Sequence, residues 1–251
     1  MARLELRDST IYIQDGLSGT GVVAEATPGA TDTDADVNTV VLNSTDTDLI
    51  PVGARFTVNT ANNVTTYTVT ARTPASASPT TNIEFTPAWG ATGTPAQADV
   101  ITFIAQRIEV KIGEGNITWT EAKEYEYLLD RGDLDTVKEG DEQPLDVSLD
   151  FVYEYITTGT GEDVTPVDAL KNQAGAAEWV SSSSDLCEPY AVDMIVLHCV
   201  PCGTDEDELV TFSDFRYESL EFDLSEAAIA VSGRCNVSEA TAARSNHAEC
   251  A

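Results

Sequence analysis

The chain has 251 residues, long enough for one large all-β domain or two smaller ones, and its 42% hydrophobic content suffices for a buried core. Its 43 acidic and 13 basic residues give a formal net charge of -30, which excludes nucleic-acid binding by clustered basic side chains because this surface repels phosphate. The sequence has no run of eighteen apolar residues and no basic-then-apolar leader, so we expect no membrane span, no signal peptide and synthesis in the cytoplasm.

The first part of the chain alternates between β-like runs and turn-rich connections. Residues 4–14 are predicted as a strand, in which apolar residues flank a polar interruption. Residues 16–35 are rich in Gly, Thr, Ala and Asp, which predicts a flexible linker. Short β-branched or aromatic runs then predict a small β-barrel or sandwich, with strands at Val40–Leu42, Arg55–Asn59, Thr65–Ala71, Asn82–Thr86 and Asp99–Ile104.

Residues 107–156 combine two-residue alternation with a long acidic connection. One face of the last predicted strand in this stretch carries Val147, Leu149, Phe151, Tyr153 and Tyr155, and the other carries Asp146, Ser148, Asp150 and Glu154. This is the period of a half-buried strand. The preceding segment, Arg131–Gln143 with Pro144, is too long for a tight two-residue turn and is predicted as a protruding hairpin loop.

One helix is predicted, over residues 166–180. Thr165 is suited to the N-cap and Pro166 to the first helical position, and Asp168 places negative charge near the positive end of the helix dipole. An apolar stripe consists of Val167, Leu170, Ala174 and Ala177.

Further strands are predicted at residues 191–200 and 209–230, where Leu220, Phe222 and Leu224 alternate with polar residues. These strands are expected to complete a sandwich. Residues 239–251 are Ala-rich and polar, and form either a terminal arm or a disordered tail.

Four stretches resemble the tail tube, or major tail, proteins of long-tailed viruses of bacteria and archaea. They are IEVKIGEGNITWTE, DRGDLDTVKEGDEQPLDVSLDF, TPVDALKNQAG and LVTFSDFRYESLEFDLSEAAIAVSG, which together with the first strand cover residues 4–14 and about 104–238. The resemblance implies an all-β, sandwich-type core with one helix that forms hexameric rings. The rings stack into the tube through which viral DNA passes without specific binding.

The resemblance also implies a domain division and a set of partners. Residues 1–15 and 104–251 would form the tube core, and residues 16–103 an inserted exterior β-domain. The partners would be other copies of the chain, a tape-measure protein and tail terminator or head-tail connector proteins, with no membrane. The location would be the virion tail, assembled in the host cytoplasm.

Two segments are predicted to make subunit contacts. The long hairpin connection would reach a subunit in the same or the adjacent ring, and the first strand would augment a neighbouring sheet. The alternatives are an ordinary solvated hairpin and an ordinary core strand. The predicted interface residues are Arg131, Asp133, Leu134, Asp135, Val137, Lys138, Glu139, Asp141, Glu142, Gln143, Leu4, Leu6, Ile11 and Ile13.

No residue pattern predicts catalysis, a cofactor or a metal ion. Cys199 and Cys202 have metal or redox spacing, but Cys187, Cys235 and Cys250 form no second close pair, which leaves free thiols, one or two disulfides, or a metal site open. The Asp32, Asp34 and Asp36 repeat lacks the Gly and Glu of a calcium loop, so a solvated acidic linker or weak cation binding remains. His198 is predicted to be a hydrogen-bonded core residue.

The acidic excess with scarce lysine also resembles proteins of extreme halophiles. A virus of a halophilic archaeon would combine both resemblances, with an acidic mesophilic virion protein as the alternative. The rival function is a secreted halophile surface or carbohydrate-binding protein with two β-domains. An enzyme is not expected.

Overall fold

A computed structural model of the chain describes residues 9–17, 20–25, 39–43, 53–58, 65–74, 80–87, 100–113, 115–131, 133–152, 164–183, 185, 187–200, 206–247 and 250. The chain divides into two compact units. The first comprises residues 1–14, 107–175 and 182–251, and the second residues 15–106 and 176–181. The sequence assigns residues 176–181 to the tube core, whereas the structure places them in the second unit.

Most of the described residues lie in β-strands, and the described part of the chain has one short α-helix. The strands, in chain order, are β1 (Ser9–Gln14), β2 (Thr20–Glu25), β3 (Thr39–Asn43), β4 (Arg55–Val58), β5 (Thr66–Pro74), β6 (Thr80–Thr86), β7 (Val100–Ile104), β8 (Arg107–Val110), β9 (Ile117–Thr120), β10 (Lys123–Asp130), β11 (Asp133–Glu142), β12 (Leu145–Val152), β13 (Val192–His198), β14 (Asp207–Asp223), β15 (Ala228–Cys235) and β16 (Thr241–Ser245). Helix α1 spans Pro166–Lys171.

The first unit is built on an eight-stranded antiparallel sheet. Its order is β8-β1-β13-β14-β15-β12-β9, and β16 pairs with the first part of β14. Strand β12 carries the predicted alternation, because Val147, Leu149 and Phe151 are buried while Asp146 and the other intervening polar residues are exposed. The sandwich-like all-β fold predicted from the sequence is therefore confirmed, and Tyr153 and Tyr155 lie outside the described residues.

Strand β1 is an inner strand. It pairs with β13 over residues 9–14 and with β8 over residues 11–14, and Ile11 and Ile13 are fully buried. The prediction that these two side chains contact another subunit is therefore wrong, because the core of their own sheet surrounds them. Leu4 and Leu6 lie outside the described residues.

The long strand β14 bends where it passes from one partner to the next. Asp214, with a φ of 57°, lies at the bend, and Phe215 pairs with Val192 on β13 and with Cys235 on β15. The bend is held by hydrogen bonds, since Asp214 N–H donates to Asp193 Oδ1 (3.0 Å) and Ser182 Oγ donates to Asp214 Oδ1 (2.8 Å).

Helix α1 is shorter than predicted. Thr165 is the N-cap and accepts a 3.1 Å hydrogen bond from Asp168 N–H, as the sequence predicts, but the helix ends at Lys171. Asn172 adopts the left-handed conformation (φ 50°), which ends an α-helix, and a 3-10 turn follows at residues 174–176. Ala174 and Ala177 are exposed, so the predicted apolar stripe reduces to Val167 and Leu170.

The second unit is a closed six-stranded barrel of order β2-β3-β6-β5-β4-β7. Its core is aromatic, with Phe56 stacked on Tyr67 (5.4 Å between ring centroids) and contacting Phe85 and Phe103 edge-on. The sequence predicts five of these strands but places residues 20–25 in a flexible linker. That prediction is wrong, because β2 closes the barrel by pairing with β3 and β7.

Asp15 marks the start of the barrel unit. Its carboxylate is buried and accepts hydrogen bonds from the backbone N–H of Gln106 (2.8 Å) and Leu17 (3.3 Å). In the first unit, Gln14 of β1 pairs directly with Arg107 of β8. The two points where the chain leaves and re-enters the sheet are therefore neighbours in one antiparallel ladder.

Candidate assembly surface

The most unusual element of the first unit is a two-stranded sheet of β10 and β11, residues 123–142, which we call the arm. Two residues separate the strands, and Arg131 has the positive φ (51°) that tight hairpin turns require. The sequence predicts a protruding loop over residues 131–143, and the structure corrects this: the acidic segment is itself a strand. A bulge at Asp135 interrupts the two-residue alternation along β11, so the sequence pattern of this segment does not indicate a strand.

One face of the arm is apolar and open to solvent. Tyr127 pairs with Val137 and Leu129 with Leu134, and alternation along β10 places Tyr125 on the same face, where it pairs with Glu139. These five side chains are between 48% and 73% exposed. We call this set the apolar face of the arm.

The opposite face of the arm is mostly polar, although it includes Leu128. Glu126 pairs with Lys138, and Leu128 with Thr136. In the described part of the chain, the arm strands pair only with each other. An isolated two-stranded sheet is at best marginally stable in water and needs a third strand or a packed surface. The arm therefore has the composition of a half-buried sheet, and no other described strand pairs with it.

The base of the arm is fastened by polar contacts to the turn after β15. Lys123 forms an ion pair with Glu239, Ser238 Oγ donates to Glu142 Oε1 (2.6 Å), and Ala240 N–H donates to Glu121 Oε1 (3.2 Å). The ion pair raises the pKa of Lys123 and lowers that of Glu239. Lys123, Glu142, Ser238 and Glu239 are among the residues that line an open groove of about 520 Å³.

A second exposed apolar group lies at the β14–β15 turn. Phe222 is 40% exposed, Leu224 is 75% exposed, and Lys171 Nζ lies 5.7 Å from the centroid of the Phe222 ring. The predicted alternation of Leu220, Phe222 and Leu224 does not bury Phe222 or Leu224, because β14 ends at Asp223 and Leu224 begins the turn. We call Phe222 and Leu224 the turn patch.

The predicted interface residues of the arm are distributed over its two faces, its base and its turn. Leu134 and Val137 lie on the apolar face, and Lys138 lies on the polar face. Glu142 and Gln143 lie at the base, where Gln143 donates to Glu124 Oε2 (3.3 Å). Glu139 pairs with Tyr125 on the apolar face. The remaining members on the arm are exposed or lie at its turn: Arg131, Asp133, Asp135 and Asp141.

Sequence reasoning missed the strongest members of the surface, Tyr125, Tyr127 and Leu129. The signal was present, since KEYEYLLD alternates acidic with aromatic residues. Alternation alone predicts a buried face, and only the tertiary structure leaves that face uncovered.

The described cysteines include one disulfide and two free thiols. Cys199 forms a disulfide with Cys250, while Cys187 is a free exposed thiol and Cys235 a free buried one. Burial raises the pKa of Cys235 to about 12, which keeps its thiol protonated. His198 is buried and hydrogen-bonded to Ser9 Oγ through Nδ1 (3.1 Å), which confirms the core assignment.

Within the described ranges, no group of three or more His, Cys, Asp or Glu side chains is arranged to hold a metal ion. The Asp32, Asp34 and Asp36 repeat and Cys202 lie outside those ranges. No helix among the described residues is long and apolar enough to cross a membrane.

No protein-family model, curated protein or solved structure matches this chain.

Proposed function

We propose that this protein is a structural subunit of a virion tail tube. In this proposal, copies of the chain form hexameric rings that stack into the conduit for viral DNA. Its partners are further copies, a tape-measure protein and the proteins that close or connect the tail. The chain has no catalytic role.

The observation that carries the proposal is the exposed apolar face of the arm. Five large apolar side chains on one side of a two-stranded sheet are a contiguous surface of the kind that marks interaction sites in soluble proteins. We infer that a second copy of this chain covers it. The turn patch is a separate apolar site on the same chain. In this proposal the two sites contact each other head to tail, an arrangement that forms a ring when the rotation between neighbouring subunits closes.

The charge of the chain supports two further parts of the proposal. A wall of net charge -30 per subunit repels phosphate, so DNA would slide past it rather than bind. Copies of so acidic a chain also repel one another unless salt screens them, which favours a host with molar internal salt, such as a halophilic archaeon.

The test is a pair of arm variants with opposite expectations. Tyr127→Ser combined with Val137→Ser removes a directly opposed apolar pair without touching a buried side chain. The matched control, Glu126→Gln combined with Lys138→Gln, changes the directly opposed pair on the polar face and leaves the net charge unaltered. Both are compared with the unmodified chain in molar potassium chloride by sedimentation velocity and negative-stain microscopy.

We expect rings or tubes from the unmodified chain and the control, and a monomer from the apolar-pair variant. A hot-spot pair at an interface contributes about 2 kcal/mol or more, so the loss corresponds to roughly a 30-fold weaker association. A chain that stays monomeric at high concentration and high salt contradicts the tube proposal and favours the surface-protein alternative. Assembly unaffected by the apolar-pair variant removes the arm from the interface.

A further inference from the structure

The last segment of the chain connects the arm to a disulfide. Residues 236–247 and Cys250, which we call the strap, run from the end of β15 past the base of the arm, continue as β16 along β14, and end at the bond to Cys199. Ser238, Glu239 and Ala240 contact the arm base, and β16 begins at the next residue, Thr241.

Strand β16 is held without hydrophobic burial. All five of its side chains are exposed, so no core contact resists its separation from β14. Backbone pairing with residues 207–211 and an Arg244–Glu208 ion pair (3.3 Å), which is exposed on the Arg244 side, attach it. Exposed ion pairs of this kind contribute little to stability. A strand attached in this way frays readily unless its end is fixed.

Two contacts fix the end of the strap. Asp207 accepts hydrogen bonds from the backbone N–H of Val200 at Oδ1 (2.9 Å) and of His247 at Oδ2 (3.0 Å), so one carboxylate joins the segment beside Cys199 to the segment before Cys250. The Cys199–Cys250 bond closes the same connection covalently, across 51 residues of sequence. Such a link lowers the freedom of the detached strap and so disfavours its release.

We propose that the Cys199–Cys250 disulfide is a redox latch that controls how well the base of the arm is ordered, through the strap. Bonded, it holds β16 on β14 and keeps residues 238–240 against the arm base, so the arm is ordered before it meets another subunit. An arm ordered in advance loses less conformational entropy on docking. Reduced, β16 separates, the polar contacts at the arm base weaken, and the arm moves more freely.

The chemical step is a thiol–disulfide exchange. A small dithiol such as dithiothreitol attacks one sulfur as a thiolate and forms a mixed disulfide, and its second thiol then displaces the protein sulfur. Cys199 and Cys250 end as thiols, and the dithiol ends as a cyclic disulfide, so two electrons and two protons pass to the protein.

This inference rests on the proposed assembly role of the arm, but its test does not. Hydrogen exchange followed by mass spectrometry is measured on the full chain below its assembly concentration, oxidised and reduced, and on Cys250→Ser. We expect amides of residues 241–245 to exchange at least about tenfold faster without the bond, and those at the base of the arm to follow, while the β12–β15 ladder is unchanged. Cys187→Ser is the matched control, because it removes an exposed free thiol outside the strap.

A second variant separates the latch from its transmission. Ser238→Ala combined with Glu239→Gln cuts two strap contacts with the arm and leaves the disulfide in place. It should loosen the arm base while residues 241–245 stay protected. If amide exchange in β16 is the same with and without the disulfide, the latch proposal is wrong. If β16 exchanges faster without the disulfide but the arm base does not, the proposed effect of the strap on the arm is wrong. If both respond but no state of the chain assembles, the latch stands and the proposed function fails.

Discussion

The barrel and the arm share one local sequence pattern, but the apolar face is buried in the barrel and exposed on the arm. In both, apolar side chains alternate with polar ones along antiparallel strands, but the six strands of the barrel close on themselves and bury Phe56, Tyr67 and Phe85. The two strands of the arm stop short of closure and leave Tyr125 and Tyr127 exposed. Alternation therefore produces an apolar face in both regions. The number of strands decides whether the chain buries that face by itself or leaves it exposed.

The strongest way to break this comparison is to remove the barrel. Because Gln14 pairs with Arg107, residues 15–106 can be replaced by a two-residue Asn-Gly hairpin turn. We expect one unfolding transition to disappear while the eight-stranded sheet and the assembly of the arm persist, with rings of unchanged lumen and smaller outer diameter. Calorimetry and electron microscopy check this.

Loss of folding in the shortened chain, or a narrowed lumen, would show that the barrel belongs to the tube wall. Some loss of stability is expected in the shortened chain, because removing the barrel also removes the backbone hydrogen bond from Gly16 N–H to Val180 O (2.9 Å) within the barrel unit. Trimming the barrel-unit residues 176–181 to a glycine linker in the same variant controls for that cost.

A single aromatic truncation in each region sharpens the comparison. Phe56→Ala removes a fully buried ring from the barrel and should lower its free energy of unfolding by about 3–5 kcal/mol. Tyr127→Ala removes an exposed ring from the arm and should change the unfolding of the unassembled chain by at most about 0.5 kcal/mol. Urea unfolding at low protein concentration measures the free energy of unfolding of both variants. Similar losses of stability in the two would contradict the conclusion that the apolar face of the arm is uncovered.

Salt should stabilise the whole chain. At a net charge of -30, raising the ionic strength from 0.1 to 1 M shortens the screening length from about 10 to about 3 Å and relieves self-repulsion. We expect the unfolding midpoint to rise by at least about 2 °C, because roughly 1 kcal/mol corresponds to about 2–4 °C for a chain of this size. Thermal melts across potassium chloride concentrations give the trend, and a flat or falling midpoint would argue against the halophile interpretation.

The smallest expected effect is a pH dependence of the strap. Hydrogen bonds from the backbone N–H of His247 and of Val200 lower the pKa of Asp207 in the folded chain. A lowered pKa stabilises the folded state above the unfolded value, and this contribution is lost as the pH falls through the folded pKa. Hydrogen exchange of β16 should therefore accelerate on acidification below about pH 4, beyond the intrinsic effect of pH. Asp207→Asn should abolish that dependence.

The sequence by itself determined the β class, most barrel strands and the cap of α1. It did so because period-two alternation, turn residues and a Thr-Pro cap are local signals, readable without knowing what packs where. Strand β12 and the barrel strand containing Phe56 lie within a few residues of their predicted bounds for this reason.

Tertiary structure alone decided the rest. Residues 20–25 became a strand because two neighbours pair with them, although their composition favours a linker. In the arm, a bulge at Asp135 shifts the register of β11 by one residue. The bulge interrupts the two-residue alternation in the sequence, but it keeps Leu134 and Val137 on one face. The pairing of Cys199 with Cys250 and the exposure of Tyr127 depend on which surfaces meet in space, and no local pattern carries that information.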